Sequence, residues 1–200
     1  MKKFVVCMAV LGASLAVHAQ DSNWRFFGGL GAASGGEEIT SGLIQVIGTS
    51  QTIPFRVGPG DGIQKRIGFD YRIADRFTLQ ASVGHMSSEP MGINGSYDFT
   101  VVPVEFMGFA DVAYGLRVGL GLRKSSAELG GKGVLADSPV NGTFKSNGGS
   151  VVELQYMFTG VEKRKGPQFG VSLRAVSEKF NHALGELNGD HKEIGLALYY

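Results

Sequence analysis

Apolar residues alternate with polar or small residues in short runs along the chain, most clearly over residues 101–123. Every second residue of a β-strand lies on the same face, so this alternation predicts strands. A turn centred on Asp111 divides the stretch into the two strands of a hairpin. One face of this hairpin is apolar, and the other carries glycines and charged residues that include Glu105 and Arg117.

Six further runs show the same alternation, which gives eight predicted strands. They cover residues 24–32, 66–73, 77–86, 151–158, 168–175 and 194–200. A tilted strand needs roughly 9–11 residues to cross a bilayer, and the runs are close to this length. Compact turns near Asp75, near Asp111 and over residues 159–168 alternate with longer loops. The longer loops are predicted over residues 34–65, 87–96, 124–149 and 177–191.

No predicted helix carries an apolar stripe that would cover the apolar faces of these strands. An amphipathic sheet can instead close on itself and bury its apolar face in lipid, which leaves no strand edge unpaired. The sequence therefore predicts an all-β fold, an eight-stranded antiparallel up-and-down transmembrane β-barrel over residues 20–200.

The first 19 residues form a separate segment. Lys2 and Lys3 precede an apolar stretch, and Val17-His18-Ala19 matches a small-x-small cleavage site. The apolar stretch is shorter than the roughly 20 residues of a membrane-spanning helix. We therefore expect residues 1–19 to be a secretory signal peptide that is cleaved after Ala19. Cys7, the single cysteine, lies in this segment.

Composition agrees with strands and argues against nucleic-acid binding. The 31 glycines among 200 residues exceed the usual share of about 7%, and each weakens a helix by roughly 1 kcal/mol. Cleavage leaves 17 of the 19 basic residues against 18 acidic residues, a formal charge of −1. The mature chain therefore lacks the basic footprint of a nucleic-acid-binding protein.

Aromatic residues recur on the apolar faces near the predicted compact-turn end. Aromatic rings favour the interface between acyl chains and headgroups, so this set predicts an interfacial girdle. Its members are Trp24, Tyr71, Phe77, Phe106, Tyr114, Phe158, Phe169 and Tyr200.

Four features of the sequence together resemble a known family. They are the signal peptide, the eight alternating runs, the alternation of short and long connections, and the final Leu196-Ala197-Leu198-Tyr199-Tyr200. They resemble the small OmpA/OmpX-type outer-membrane β-barrels of Gram-negative bacteria over essentially all of residues 20–200. The resemblance implies location in the cell outer membrane, contact with outer-membrane lipid and lipopolysaccharide, and insertion by the barrel assembly machinery. It also implies that Tyr200, with Leu198, belongs to the signal that this machinery reads. We expect a monomer without a cofactor.

The face opposite the apolar one would line an interior that only side chains can fill. Charges buried there must be paired, because a lone buried charge is costly. The residues expected to form interior ion pairs are Glu105, Arg117, Glu153, Arg174, Asp70 and Arg72.

Hairpin register assigns two of these pairs. A turn centred on Asp111 places Glu105 across from Arg117, and the same construction for the next hairpin places Glu153 across from Arg174. The prediction is a non-enzymatic barrel with a plugged interior, whose loops carry structural or interaction roles.

The sequence is also compatible with three other functions. His85 and Ser87 would face lipid, as the His-x-Ser pair of outer-membrane lipid A deacylases does, with Glu89 as the local acidic candidate. A narrow channel for small solutes is the second, and a soluble periplasmic barrel with inverted faces is the third. His182 and His191 share a loop with Asp190, but they lack the fixed spacing of a metal site, so no metal site is predicted.

Overall fold

The computed structural model describes residues 23–45, 51–90, 95–113, 115–159, 166–183 and 185–200, which contain eleven β-strands. In chain order the strands are β1 Trp24–Gly35, β2 Thr40–Gln45, β3 Thr52–Val57, β4 Gly62–Ala74, β5 Phe77–Ser88, β6 Gly95–Ala113, β7 Leu116–Gly133, β8 Gly142–Met157, β9 Gln168–His182, β10 Gly185–Asn188 and β11 His191–Tyr199. Within these ranges no helix is long and apolar enough to cross a membrane. The predicted signal peptide lies outside the described residues and stays a prediction.

Eight of these strands form a closed antiparallel ring, which confirms the predicted fold. The ring order is β1-β4-β5-β6-β7-β8-β9-β11, and β11 pairs back with β1. Phe26 and Tyr200 exchange backbone hydrogen bonds of 2.8 and 2.9 Å at this closing seam. β10 continues the sheet beside β9, and β2 pairs with β3 in a separate hairpin.

Burial alternates along the barrel strands with the apolar side chains outside. Leu120 and Leu122 on β7 are 64% and 71% exposed, whereas Arg117 and Arg123 on the same strand are 1% and 2% exposed. A soluble barrel would bury the leucines and expose the arginines. The outer surface is therefore suited to an apolar surrounding.

The hairpin of β6 and β7 turns later than the sequence predicted. Ala113 pairs with Leu116, and the register shifts between Asp111 and Ala113. Gly115 between them has a φ of 85°, in the left-handed region that favours glycine. Asp111 therefore lies in the strand, and the turn is at Gly115.

This later turn corrects two predictions. Glu105 lies opposite Arg123, so the predicted pairing of Glu105 with Arg117 is wrong. Phe106 lies opposite Leu122, seven residues before the end of β6. Its ring is therefore in the middle of the outer surface rather than at the compact-turn end.

Three predicted loops contain substantial regular structure, and one of them, over residues 177–191, holds the last residues of β9 and the whole of β10. β7 continues to Gly133 and β8 begins at Gly142, so most of the predicted loop 124–149 is strand. The predicted loop 34–65 contains the β2–β3 hairpin and the first residues of β4. Strands β6 to β9 are 15 to 19 residues long, against 9 to 13 residues in the other four barrel strands. The longer strands carry the barrel wall into the loop region.

Candidate functional site

The barrel interior holds buried charges of both signs in equal number. Among the described residues, five arginines and five carboxylates are buried. They are Arg25, Arg66, Arg117, Arg123 and Arg174, with Asp70, Glu105, Glu153, Glu178 and Glu193. Buried charges are tolerated when they contact opposite charges and have hydrogen-bond partners.

Arg174 on β9 is the centre of this network. Its guanidinium lies 2.6 Å from Glu105, 3.0 Å from Glu153, and also contacts Glu193. Arg66 on β4 approaches Glu153 at 3.3 Å and Glu105 at 3.6 Å. Glu153 lies opposite Arg174 in the β8–β9 ladder. Five strands thus contribute to one cluster of charges in the middle of the barrel.

Arg123 on β7 connects this cluster to the loop end. It lies 2.9 Å from Glu178, 3.0 Å from Glu105 and 3.4 Å from Glu193. Ser125 donates a 2.9 Å hydrogen bond to Glu178. The sequence analysis missed Glu178 because it placed this residue in a loop, although β9 continues to His182. The signal was present, since the alternation that includes Arg174 on the inward face also includes Glu178.

Asp70 on β4 is the central carboxylate at the compact-turn end of the interior. Its carboxylate lies 2.8 Å from Arg25 and 3.4 Å from Arg117, and it accepts a 2.8 Å hydrogen bond from Gln80. Arg117 also lies 3.4 Å from Asp111, the residue across from it in the ladder. Asp70 therefore has two arginine partners.

Tyr199 packs beside these two arginines. The guanidinium of Arg25 lies 4.7 Å from the centre of its ring, and that of Arg117 lies 5.3 Å from it. The Tyr199 hydroxyl donates to Gln155 at 2.9 Å and accepts from Gln80 at 3.2 Å. Ring contacts and hydrogen bonds thus supplement the ion pairs at this level.

Arg72 does not join the interior network, contrary to prediction. Its side chain is 28% exposed and lies 3.4 Å from the carboxylate of Asp75 at the compact turn. It also donates a 2.6 Å hydrogen bond to the Asp75 carbonyl. The β4–β5 register shifts between Arg72 and Ala74, which ends the regular alternation of faces at this point.

An apolar cluster that the sequence analysis did not predict fills the interior at the loop end. Its buried members are Ala33, Val57, Met86, Tyr97, Phe99, Val101, Ala127, Leu129, Phe144 and Phe180. Phe144 stacks on His182 with ring centres 4.2 Å apart and meets Phe99 edge-on at 5.6 Å. Val57 at the end of β3 is fully buried. The β2–β3 hairpin therefore covers the barrel mouth.

Hydrogen bonds and close packing hold the segments that flank the β2–β3 hairpin to the barrel wall. Gly36 donates a 2.6 Å hydrogen bond to the carbonyl of Asp190, and the amide of Gly35 donates to the Asp61 carboxylate at 3.1 Å. A β-carbon added at Gly60 would lie 2.5 Å from the β-carbon of His191 and 2.9 Å from the carbonyl oxygen of Gly35. The cover thus packs against β1 and β11 without room for a side chain at position 60.

Aromatic side chains project from the outer surface at the compact-turn end. Those of the predicted girdle found there are Trp24, Tyr71, Phe77, Phe158, Phe169 and Tyr200. The rings of Trp24 and Tyr71 lie 4.6 Å apart. Tyr114 is outside the described residues. Leu198 and Tyr200 both face outward at 42% and 49% exposure, and their role as an assembly signal stays a prediction.

The candidate enzymatic residues do not form a catalytic arrangement. His85 is exposed and Ser87 is half-buried on β5, and among the described residues no hydrogen bond joins His85 to Ser87 or to a carboxylate. His191 instead contacts Glu193 at 3.0 Å, inside the barrel. Within the described part of the chain, no group of three or more His, Cys, Asp or Glu side chains could hold a metal ion.

No family model and no curated protein matches the sequence. Solved structures do match, and one is Neisserial surface protein A, NspA, with a TM-score of 0.52 and 11% identity over 89% of this chain and 96% of that protein. The attachment invasion locus protein Ail of Yersinia pestis matches with a TM-score of 0.48 and 8% identity, over 88% of this chain and 99% of Ail. OprG of Pseudomonas aeruginosa matches with a TM-score of 0.43 and 12% identity, over 90% of this chain and 96% of OprG. The likeness to NspA and the closed ring of strands show that this chain has the fold of the small eight-stranded outer-membrane β-barrels.

Proposed function

We propose that this protein is a non-enzymatic integral protein of the outer membrane, with a barrel closed to solutes and with loops that carry its interactions. The observation that carries this proposal is the filled interior. Five buried arginines and five buried carboxylates occupy the barrel lumen. Eight strands enclose a space that side chains can fill, so we expect these ion pairs to block the passage of solutes.

The outer surface supports membrane insertion. Large apolar side chains such as Leu120, Leu122 and Ile194 are more than 60% exposed. Apolar residues in such numbers on the surface of a water-soluble protein would drive aggregation, whereas lipid acyl chains cover them at no cost. Fractionation tests this part of the proposal. The protein should stay with outer membranes after a urea wash, and recovery in the soluble periplasm would contradict it.

Closure at the mouth is a second barrier to solutes. The apolar cluster at the loop end and the β2–β3 hairpin lie above the charged network. Ions entering from the loop side would first have to displace Phe99, Phe144 and Val57, which are at most 1% exposed. Solutes thus meet an apolar barrier and then a paired ionic one.

Conductance in planar bilayers tests the closed interior. We expect the purified protein to insert without producing stepwise currents, while a water-filled porin in the same bilayers produces them. Insertion is verified in parallel by protease protection of the barrel in vesicles. Uniform current steps from the inserted protein would refute the closed barrel and favour the narrow channel.

Loop-end side chains favour an interaction role. Leu43 on β2 and Val134 after β7 are apolar and 70% and 78% exposed. Neither is on the apolar wall of the barrel, so lipid does not account for their exposure. Loops that a rigid scaffold holds in place commonly carry binding residues, and these two side chains are accessible to a partner. An enzymatic role is tested separately, since loss of lipid A acyl chains upon expression, abolished by Ser87→Ala, would contradict a non-enzymatic protein.

A further inference from the structure

β2 is a strand with an open edge at the loop end of the barrel. Among the described strands it pairs only with β3. Every strand of the barrel ring has a neighbour on both sides, whereas the two-stranded sheet of β2 and β3 leaves the outer edge of β2 without a neighbour. Backbone N–H and C=O groups on such an edge can pair with an added strand.

The sequence of β2 lacks the features that protect such an edge. Proteins protect edge strands with charged side chains, with proline or by keeping the strand very short. β3 contains Pro54 and Arg56, and the four-residue β10 carries Glu186, which forms an ion pair with Lys179. β2 has no charged residue and no proline over its six residues. Of these three strands outside the barrel ring, β2 alone therefore has an unprotected edge.

The two faces of β2 differ in their surroundings. A β-carbon added at Gly42 would lie 3.0 Å from the ring of Phe55, and the centre of that ring lies 6.2 Å from the centre of the Tyr97 ring on β6. Ser41 and Leu43 alternate with Gly42 and are both exposed, Leu43 by 70%. An added strand would place every second side chain on the face of Leu43, where an apolar β-branched side chain can pack against it.

β3 holds the hairpin on the barrel and leaves β2 accessible. Val57 is part of the buried apolar cluster, Phe55 packs against that cluster, and Arg56 donates a hydrogen bond to the carbonyl of Gly36. A two-stranded hairpin is marginally stable in water, and three or more strands are needed for independent stability. A third strand on β2 would therefore stabilise the hairpin as well as satisfy its edge.

The charge near the start of β2 indicates the chemistry of the added strand. Glu38 is exposed, and among the described residues no cation lies within ion-pairing distance of it. Arg56 on β3 is already paired with Asp61 at 3.5 Å. A strand antiparallel to β2 would end opposite Glu38, and a lysine or arginine there would provide the opposite charge. A second copy of β2 could not do this, because β2 contains no basic residue.

We infer that the edge of β2 binds an extended segment of a partner protein, which pairs with Thr40–Gln45 as an added antiparallel strand and carries a basic residue opposite Glu38. This inference rests on the proposed interaction role of the loops. In this mode of recognition the backbone hydrogen bonds provide affinity, and the alternate side chains, here those beside Leu43, provide specificity.

Binding of a synthetic peptide to the folded full chain in detergent tests this edge. The probe is labelled Val-Thr-Val-Thr-Val-Thr-Val-Lys, and fluorescence anisotropy measures its affinity. The comparison peptides end in glutamate or have proline in place of two threonines. We expect Leu43→Lys to weaken binding of the lysine peptide by about fivefold, and Glu38→Gln to weaken it by about threefold. Val134→Lys is the matched control, because Val134 is apolar and 78% exposed on another element, and it should bind as the unaltered chain does.

Hydrogen–deuterium exchange locates the bound peptide. The amides of residues 40–45 should exchange more slowly when the peptide is bound, and unchanged exchange there would refute an added strand. Equal binding by Leu43→Lys and Val134→Lys, or equal binding of the proline peptide, would contradict backbone pairing at β2. Equal binding of the glutamate peptide would refute the role of Glu38.

Two further outcomes separate this inference from its alternatives. Disulfide-linked dimers of Ser41→Cys would assign the edge to a second copy of the chain and overturn the inference. Heat-modifiable migration on gels verifies that each variant is folded, and a folded unaltered chain that binds none of the peptides would also refute it. Fractionation and conductance test the closed membrane barrel independently, so failure of the strand site is distinguishable from failure of the proposed function.

Discussion

Glu105 is the carboxylate whose removal tests the interior network most directly. It lies 2.6 Å from Arg174, 3.0 Å from Arg123 and 3.6 Å from Arg66. Glu105→Gln keeps the shape of the side chain but leaves five buried arginines with four buried carboxylates. Removal of one partner of a buried ion pair costs about 3–5 kcal/mol. We expect a loss of about 3 kcal/mol in the free energy of unfolding, because the amide oxygen can still accept a hydrogen bond.

The double variant separates pairing from general damage. Arg123→Met alone leaves a carboxylate in excess, whereas Glu105→Gln with Arg123→Met restores equal numbers of charges. The double variant should therefore lose less stability than the sum of the two single losses, by about 2 kcal/mol. Urea unfolding in phospholipid vesicles measures this, followed by the fluorescence of Trp24, the single tryptophan of the chain.

Arg117 provides the matched control. It lies on β7, as Arg123 does, and it is 1% exposed, but its carboxylate partners are Asp70 and Asp111. The losses caused by Glu105→Gln and Arg117→Met should add within about 0.5 kcal/mol. A coupling of Glu105 with Arg117 as large as that with Arg123 would refute the register described above.

Three further predictions concern the wall, the mouth and the cover. Trp24 is 50% exposed on the outer wall, so brominated acyl chains should quench its fluorescence, and quenching by aqueous iodide instead would contradict lipid contact. Phe144→Ala should lower the free energy of unfolding by about 3 kcal/mol. It should not open a conductance, because the charged network below it is intact. Current steps from this variant would show that the apolar cluster alone closes the barrel. Gly60→Ala should make the β2–β3 hairpin more sensitive to limited proteolysis while the barrel stays resistant. The reason is that a β-carbon at position 60 would lie 2.5 Å from the β-carbon of His191. Unchanged cleavage would show that the hairpin is not packed against the barrel wall.

Alternation was enough to predict the barrel, because the period of two assigns every residue to a face independently of its partner. Leu122 and Arg123 lie on opposite faces whichever strand is adjacent. Partner assignment needs the position of the turn as well. Asp111 is a common turn residue, yet the left-handed backbone at Gly115 sets the hairpin, and misplacing the turn displaced Glu105 relative to β7.

Strand ends were harder to predict than strand centres. Beyond the bilayer, the outer face no longer needs apolar residues, so the alternation there changes sign. On β6 the inward residues Tyr97 and Phe99 are apolar and the outward residues Asp98 and Thr100 are polar. Because the polarity is inverted in this region, the alternation does not match a strand whose outer face is apolar. For this reason the sequence pattern did not predict the apolar cluster at the barrel mouth.

The interior charges also account for how one register is selected among several. A slip of one residue would turn every apolar side chain of a strand into the barrel and is excluded by lipid. A slip of two residues keeps the faces, so lipid does not oppose it. In the β6–β7 ladder such a slip would place Glu105 opposite Gly121 or Ser125 instead of Arg123. Glu105 and Arg123 would then lose their mutual ion pair, and separating two buried charges is costly. The ion pairs therefore exclude the slips that lipid allows, which gives the network a role in specifying the barrel as well as in closing it.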